Sequence, residues 1–164
     1  MGLRQPYSGP GLSAIDAKGR VAIPADLRRK IEANSPGAGS IQLNTHDDRP
    51  CLLLFDVGYT QQKYEDFRAR VQADIAAGRP VPDAGAFDDD YGSTEEASFD
   101  ASGRFILPKL LRLEADLKDL AVFIGVGDMI EVWCPRAFLS VERPERLKTQ
   151  RRVRALLADK GITL

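Results

Sequence analysis

The chain has 164 residues, a formal net charge of −1, 43% hydrophobic and 29% charged residues. That suits a globular core with a solvated surface, in one domain or two small ones, and argues against indiscriminate nucleic-acid binding. One histidine and two cysteines exclude a disulfide framework and any zinc-ligand spacing, so Cys51 and Cys134 read as buried free thiols.

Residues 1–11, rich in glycine and proline, are predicted to form a flexible N-terminus. Leu12–Ile15 and Val21–Ile23 are short apolar runs on either side of Asp16-Ala17-Lys18-Gly19. Aspartate hydrogen-bonds its own turn and glycine supplies positive φ, so the pattern reads as two strands joined tightly. Pro24 suits a first helical position, and the helix it opens runs to about Ala33. Breakers from Ala33 to Ser40 stop it. Ile41–Asn44 and Cys51–Phe55 read as strands around a Thr45–Pro50 turn that holds His46, a loop residue beside two acids. A helix follows from Gly58 or Thr60 to about Ala77. Its Tyr64, Phe67, Val71 and Ile75 form one stripe, facing the core or a partner. Residues 79–93, with Pro80, Pro82, Gly85 and Asp88–Asp90, read as an acidic linker; the three aspartates lack a ligand-spaced pattern, so no metal is expected.

The order then starts again. Asp100-Ala101-Ser102-Gly103-Arg104 and Pro108 repeat Asp16-Ala17-Lys18-Gly19-Arg20 and Pro24 at a constant offset of 84. Over residues 12–28 against 96–112, seven of 17 positions are identical, so one supersecondary unit is used twice. The second helix is predicted over Pro108–Leu117. Ala121–Val126 and Met129–Trp133 follow as strands, then a helix from Pro135 and a basic helix over Glu145–Lys160. The predicted modules are therefore 12–78 and 94–164.

Charge is sorted along the chain. Residues 1–32 carry six cations against three acids and residues 142–160 seven against three, whereas residues 83–100 carry seven acids and no cation. Within the repeat, Arg20 and Arg104 sit beside the turn glycine, where a guanidinium can project towards phosphate or a guanine edge. Each can equally pair with its own aspartate across the turn. Lys18 adds a cation to the first copy only. No catalytic motif is present, and the absence of a long apolar run argues against a membrane span. An enzyme is not expected, nor is a cofactor or a small-molecule ligand. The chain is placed in the cytoplasm.

The paired Asp-x-x-Gly-Arg motifs resemble those of the MraZ family of bacterial transcriptional regulators, of the AbrB-like swapped-hairpin class. So do the strand Val122–Gly125 and the Ile130-Glu131-Val132-Trp133 strand. The resemblance implies an α+β fold of tandem, pseudo-two-fold-related β-hairpin/helix modules, double-split β-barrel-like, with a C-terminal helix. It implies a ring-like homo-oligomer that binds direct repeats in promoter double-stranded DNA, at the nucleoid, and represses its own division and cell-wall gene cluster. Arg20 is then the main reader, Arg104 its equivalent, Lys18 a phosphate anchor, and Arg28 and Arg29 weaker phosphate contacts. Asp16, Gly19, Pro24, Asp100, Gly103 and Pro108 build the turns. An AbrB-like antitoxin or another protein-interaction module is the alternative.

Overall fold

The computed structural model describes residues 3–81 and 83–164; Met1, Gly2 and Pro82, parts of the predicted N-terminal and linker segments, lie outside the described residues. The first half contains β1 (Tyr7–Ala14), β2 (Arg20–Ala22), α1 (Ala25–Asn34), β3 (Ser40–Thr45), β4 (Cys51–Asp56) and α2 (Val57–Ala76). A short 3-10 turn (Ala84–Phe87) and α3 (Asp88–Ser93) lead to β5 (Glu95–Ser98), β6 (Arg104–Ile106) and α4 (Lys109–Glu114). The chain closes with β7 (Leu120–Gly127), β8 (Ile130–Trp133), α5 (Pro135–Leu139), a 3-10 turn (Pro144–Arg146) and α6 (Leu147–Asp159).

Six strands form one antiparallel sheet in the order β1-β7-β8-β4-β3-β5, and β2 pairs with β6 in a separate ribbon. The order is palindromic when each strand is replaced by its counterpart in the other half. A pseudo-two-fold axis therefore passes between β4 and β8. It also passes through the ribbon, where Val21 faces Phe105, its own equivalent at the repeat offset. The halves are interleaved. β1 pairs with β7 of the second half, and β5 pairs with β3 of the first. The fold is α+β, and each half lends its first strand to the other.

The two faces of the sheet are covered differently. On one face the ribbon and the helices α1 and α4 bury Val21, Ile23, Leu27, Phe105, Leu107 and Leu111 against Ile41, Leu52, Leu54 and Phe123. On the other, α5 and α6 pack Phe138, Val153 and Leu157 on Leu12, Val122 and Trp133. Pro24 and Pro108 have φ of −51° and −55° and precede α1 and α4 by one residue, as caps rather than first helical residues.

Two segments depart from the sequence reading. Residues 7–11 are not a flexible terminus but the first five positions of β1. Tyr7 is buried and its hydroxyl donates to the Asp56 carboxylate at 2.6 Å, while the Arg4 guanidinium donates to the same group. Pro10 is tolerated because β1 is an edge strand. Gly125 makes the approach possible, since a Cβ there would lie 2.3 Å from the Ser8 nitrogen. Residues 79–93 are not a plain linker. Phe87 packs edge-on against Phe67 with ring centroids 4.5 Å apart, Tyr91 meets Tyr64, and the acids Asp88–Asp90 start α3. The stripe of α2 faces this segment and solvent, with Tyr64 and Ile75 exposed.

Candidate nucleic-acid interface

Each repeat folds its Asp-x-x-Gly-Arg stretch into the same turn. Asp16 Oδ1 accepts from the backbone N–H of Lys18 and of Arg20, both at 2.9 Å, and Gly19 N–H closes the turn on the Asp16 carbonyl at 3.0 Å. Asp100 does the same with the N–H groups of Ser102 and Arg104, at 2.9 and 3.0 Å. Gly19 and Gly103 take φ of +82° and +79°, which a residue with a Cβ adopts only under strain. These backbone bonds, above all the one from the arginine N–H, hold both aspartate carboxyls below their ordinary value.

The turns lock onto each other across the pseudo-two-fold axis. Ile23 N–H donates to the Gly103 carbonyl and Leu107 N–H to the Gly19 carbonyl, each at 2.9 Å. Arg28 lies over the second turn, its Cδ 2.8 Å from where a Gly103 Cβ would stand; Arg112 lies likewise over the first, with Nη1 3.2 Å from a Gly19 Cβ. Arg112 also donates to the carbonyls of Leu117 and Lys118 at 2.9 and 2.5 Å. Arg28 has Glu32 at 3.8 Å and no hydrogen bond on its buried Nε among the described residues.

The register of the ribbon decides where the arginines emerge. Val21 and Phe105 point into the core, so Arg20, Ala22, Arg104 and Ile106 all face outwards. Arg20 is opposite Ile106 and Arg104 opposite Ala22, a diagonal relation that sets the two side chains roughly 7–8 Å apart at their bases. Both are exposed, with 53% and 59% of the side chain accessible. Both pair with their own aspartate, Arg20 at 2.6 Å and Arg104 at 3.0 Å, through Nε alone. The terminal Nη atoms make no hydrogen bond among the described residues. Each carboxylate thus divides its work: Oδ1 builds the turn and Oδ2 steers the arginine.

The other candidate cations are less central. Lys18 is exposed on the first turn. Arg29 is exposed on α1 and pairs with Asp26. Arg28, half-buried against the Gly103 turn, is a packing residue as much as a surface one. Arg112, which the repeat offset pairs with Arg28, was not among the candidate cations read from the sequence. Nor was Lys118, whose loop meets the first hairpin through the bond from Ile15 N–H to the Asp119 carbonyl at 2.8 Å. The matching loop against the second hairpin is Gly37-Ala38-Gly39, where the Gly39 carbonyl accepts from Phe99 N–H. The first hairpin end therefore carries Lys18 and Lys118 where the second carries Ser102 and a neutral loop. No group of three His, Cys, Asp or Glu among the described residues could hold a metal. No helix among them is long and apolar enough to cross a membrane.

Residues 91–156 match the family model described as "MraZ protein, putative antitoxin-like". The chain is similar to a protein named Transcriptional regulator MraZ from Ruegeria sp. (strain TM1040), 32% identical over 87% of this chain and 85% of that one. It is similar to proteins of the same name from Rhodospirillum rubrum, 28% identical over 81% and 82%, and Coxiella burnetii, 31% identical over 77% and 78%.

Proposed function

Because the chain belongs to the MraZ family, we propose that it is a sequence-specific DNA-binding transcriptional regulator that reads its operator with the outer face of the β2–β6 ribbon. The observation that carries this reading is the pair Arg20 and Arg104 on one exposed face, each steered through Nε with both Nη atoms free. A guanidinium held that way offers two parallel N–H donors to O6 and N7 of guanine without leaving its aspartate. Lys18 and Lys118 add phosphate contacts at the first hairpin end. Arg28 and Arg29 contribute to the field around the ribbon.

One bidentate arginine contact is worth about 1–3 kcal/mol of discrimination, so a single protomer binds weakly. A ring-like homo-oligomer meeting direct repeats in the promoter raises the affinity through effective concentration. Away from the ribbon's outer face, the exposed Leu110 and Leu113 of α4 supply apolar surface for such assembly. The operator is taken to lie upstream of the division and cell-wall gene cluster, with repression as the outcome and the nucleoid as the site of action.

The test is gel retardation of that upstream fragment. Arg20→Ala abolishes the shift, while thermal stability and elution volume stay those of the parent chain. A variant that retards the fragment like the parent overturns the reading. Ser102→Lys tightens binding modestly and steepens its salt dependence, because it restores the missing phosphate contact. An unchanged affinity and salt slope would place residue 102 away from DNA.

A further inference from the structure

The outer face of the ribbon carries Arg20, Ala22, Arg104 and Ile106, and only the last is large and apolar. Ile106 is 62% exposed. It stands directly opposite Arg20 in the register, whereas Arg104 stands opposite Ala22. A directly opposed pair has its Cβ atoms about 4.5–5.5 Å apart. Ile106 and both arginines also border one shallow depression on this face. An apolar group and two sets of donors therefore address the same space.

Two properties of Ile106 narrow what it meets. The first is that it has no polar side-chain atom, so it offers a base only close packing and the release of water. In the major groove the apolar group on a base edge is the C5 methyl of thymine. Phosphate and sugar gain nothing from such a side chain. The second is stiffness. Branching at Cβ leaves χ1 few choices, so the side chain is held in place before anything binds. The reach is suitable as well. Base pairs follow one another at about 3.4 Å along the duplex. A residue beside a guanine-reading Arg20 therefore falls on the neighbouring base pair.

We propose that Ile106 is a specificity-determining residue that packs on the C5 methyl of a thymine next to the guanine read by Arg20. That role rests on the ribbon being the DNA-contacting face proposed above. Ala22, the counterpart of Ile106 at the repeat offset, makes a smaller contact beside Arg104. The Arg20 end is thus the more selective for thymine, and it is also the end that carries Lys18. Side chains give the ribbon a direction that its pseudo-two-fold backbone lacks. A directional reader suits direct repeats rather than inverted ones.

The test compares two versions of the upstream fragment by gel retardation, one ordinary and one with every thymidine replaced by deoxyuridine. The replacement removes the C5 methyl groups and keeps every hydrogen-bonding group. The parent chain binds the uracil fragment about fourfold more weakly for each repeat occupied, as expected when one methyl no longer leaves water. Ile106→Ala binds the thymine fragment more weakly than the parent does and binds the two fragments alike. Its Tm is that of the parent, because Ile106 lies outside both hydrophobic clusters. Ala22→Ile supplies the missing side chain beside Arg104 and widens the preference for thymine, which keeps the test decisive if Ile106→Ala disturbs the ribbon. Equal binding of the two fragments by the parent overturns the proposal. So does a preference that neither substitution alters, since a preference arising from groove shape survives both. A parent chain that retards neither fragment overturns the ribbon reading, and this role with it.

Discussion

Asp56 and Glu131 are buried carboxylates that tie distant segments together, and their surroundings set how the molecule responds to acid. Asp56 receives Arg4, the Tyr7 and Ser35 hydroxyls and the Tyr59 N–H; Glu131 receives Arg49, Arg146 and the Trp133 indole N–H. Burial pushes both carboxyls up, but the donated hydrogen bonds outweigh it and hold both below their ordinary values of 3.8 and 4.5. A carboxyl depressed in the folded state contributes stability that is present above its unfolded value and is lost as pH falls through its folded one. Stability therefore declines as pH drops below about 4. Asp56→Asn is less stable than the parent at pH 7, because it leaves Arg4 without its anion, and the gap narrows towards pH 3. Urea midpoints at pH 7, 5 and 3 check this; a gap that stays constant would show that the charge of Asp56 is not what stabilises. Cys51 behaves in the opposite sense to a reactive thiol. Burial first, then the Glu131 charge, push it up to about 12, so thiol reagents modify it only on unfolding.

At the scale of elements, the close approach of β1 to β7 is the tightest constraint. Gly125→Ala drives a methyl group into the backbone of Tyr7 and Ser8, which cannot rotate away. The expected cost is on the order of 1–3 kcal/mol, read as a fall in Tm of about 2–4 °C per kcal/mol. An unchanged Tm would mean that β1 is not seated on Gly125. The contrast between β1 and the ribbon shows what was legible in the sequence. The Asp16–Arg20 and Asp100–Arg104 turns were readable because aspartate, glycine and the repeat act within five residues. The alternation from Arg20 to Ala22 and from Arg104 to Ile106 already contains the common outward face, though the pairing of the two copies with each other does not follow from either alone. The start of β1 was hidden because its strand character comes from β7, more than a hundred residues away, and from a buried carboxylate on β4. The segment at 79–93 was hidden for a related reason. Its order is supplied by Phe67 and Tyr64 on α2, and prolines and acids mark only its local reluctance to fold.

For the whole molecule, the pseudo-symmetry of the backbone is not matched by its surface. Leu110 and Leu113 of α4 are 61% and 68% exposed, where the first copy has Asp26 and Arg29 at the equivalent positions. An apolar patch on one half only suits a head-to-tail contact between protomers, in which it meets a different surface on its neighbour. In the ring-like homo-oligomer proposed above, Leu110→Glu combined with Leu113→Glu lowers the mass measured by light scattering while leaving the fold intact by circular dichroism. An unchanged mass would remove this patch from the assembly surface. The strand exchange has a consequence of another kind. Each half alone would keep an unfilled slot in its sheet and a strand with no host. Two separate polypeptides bearing one copy apiece could satisfy both needs by trading those strands, so the exchange within this chain follows the plan of a dimer with both partners held on one backbone.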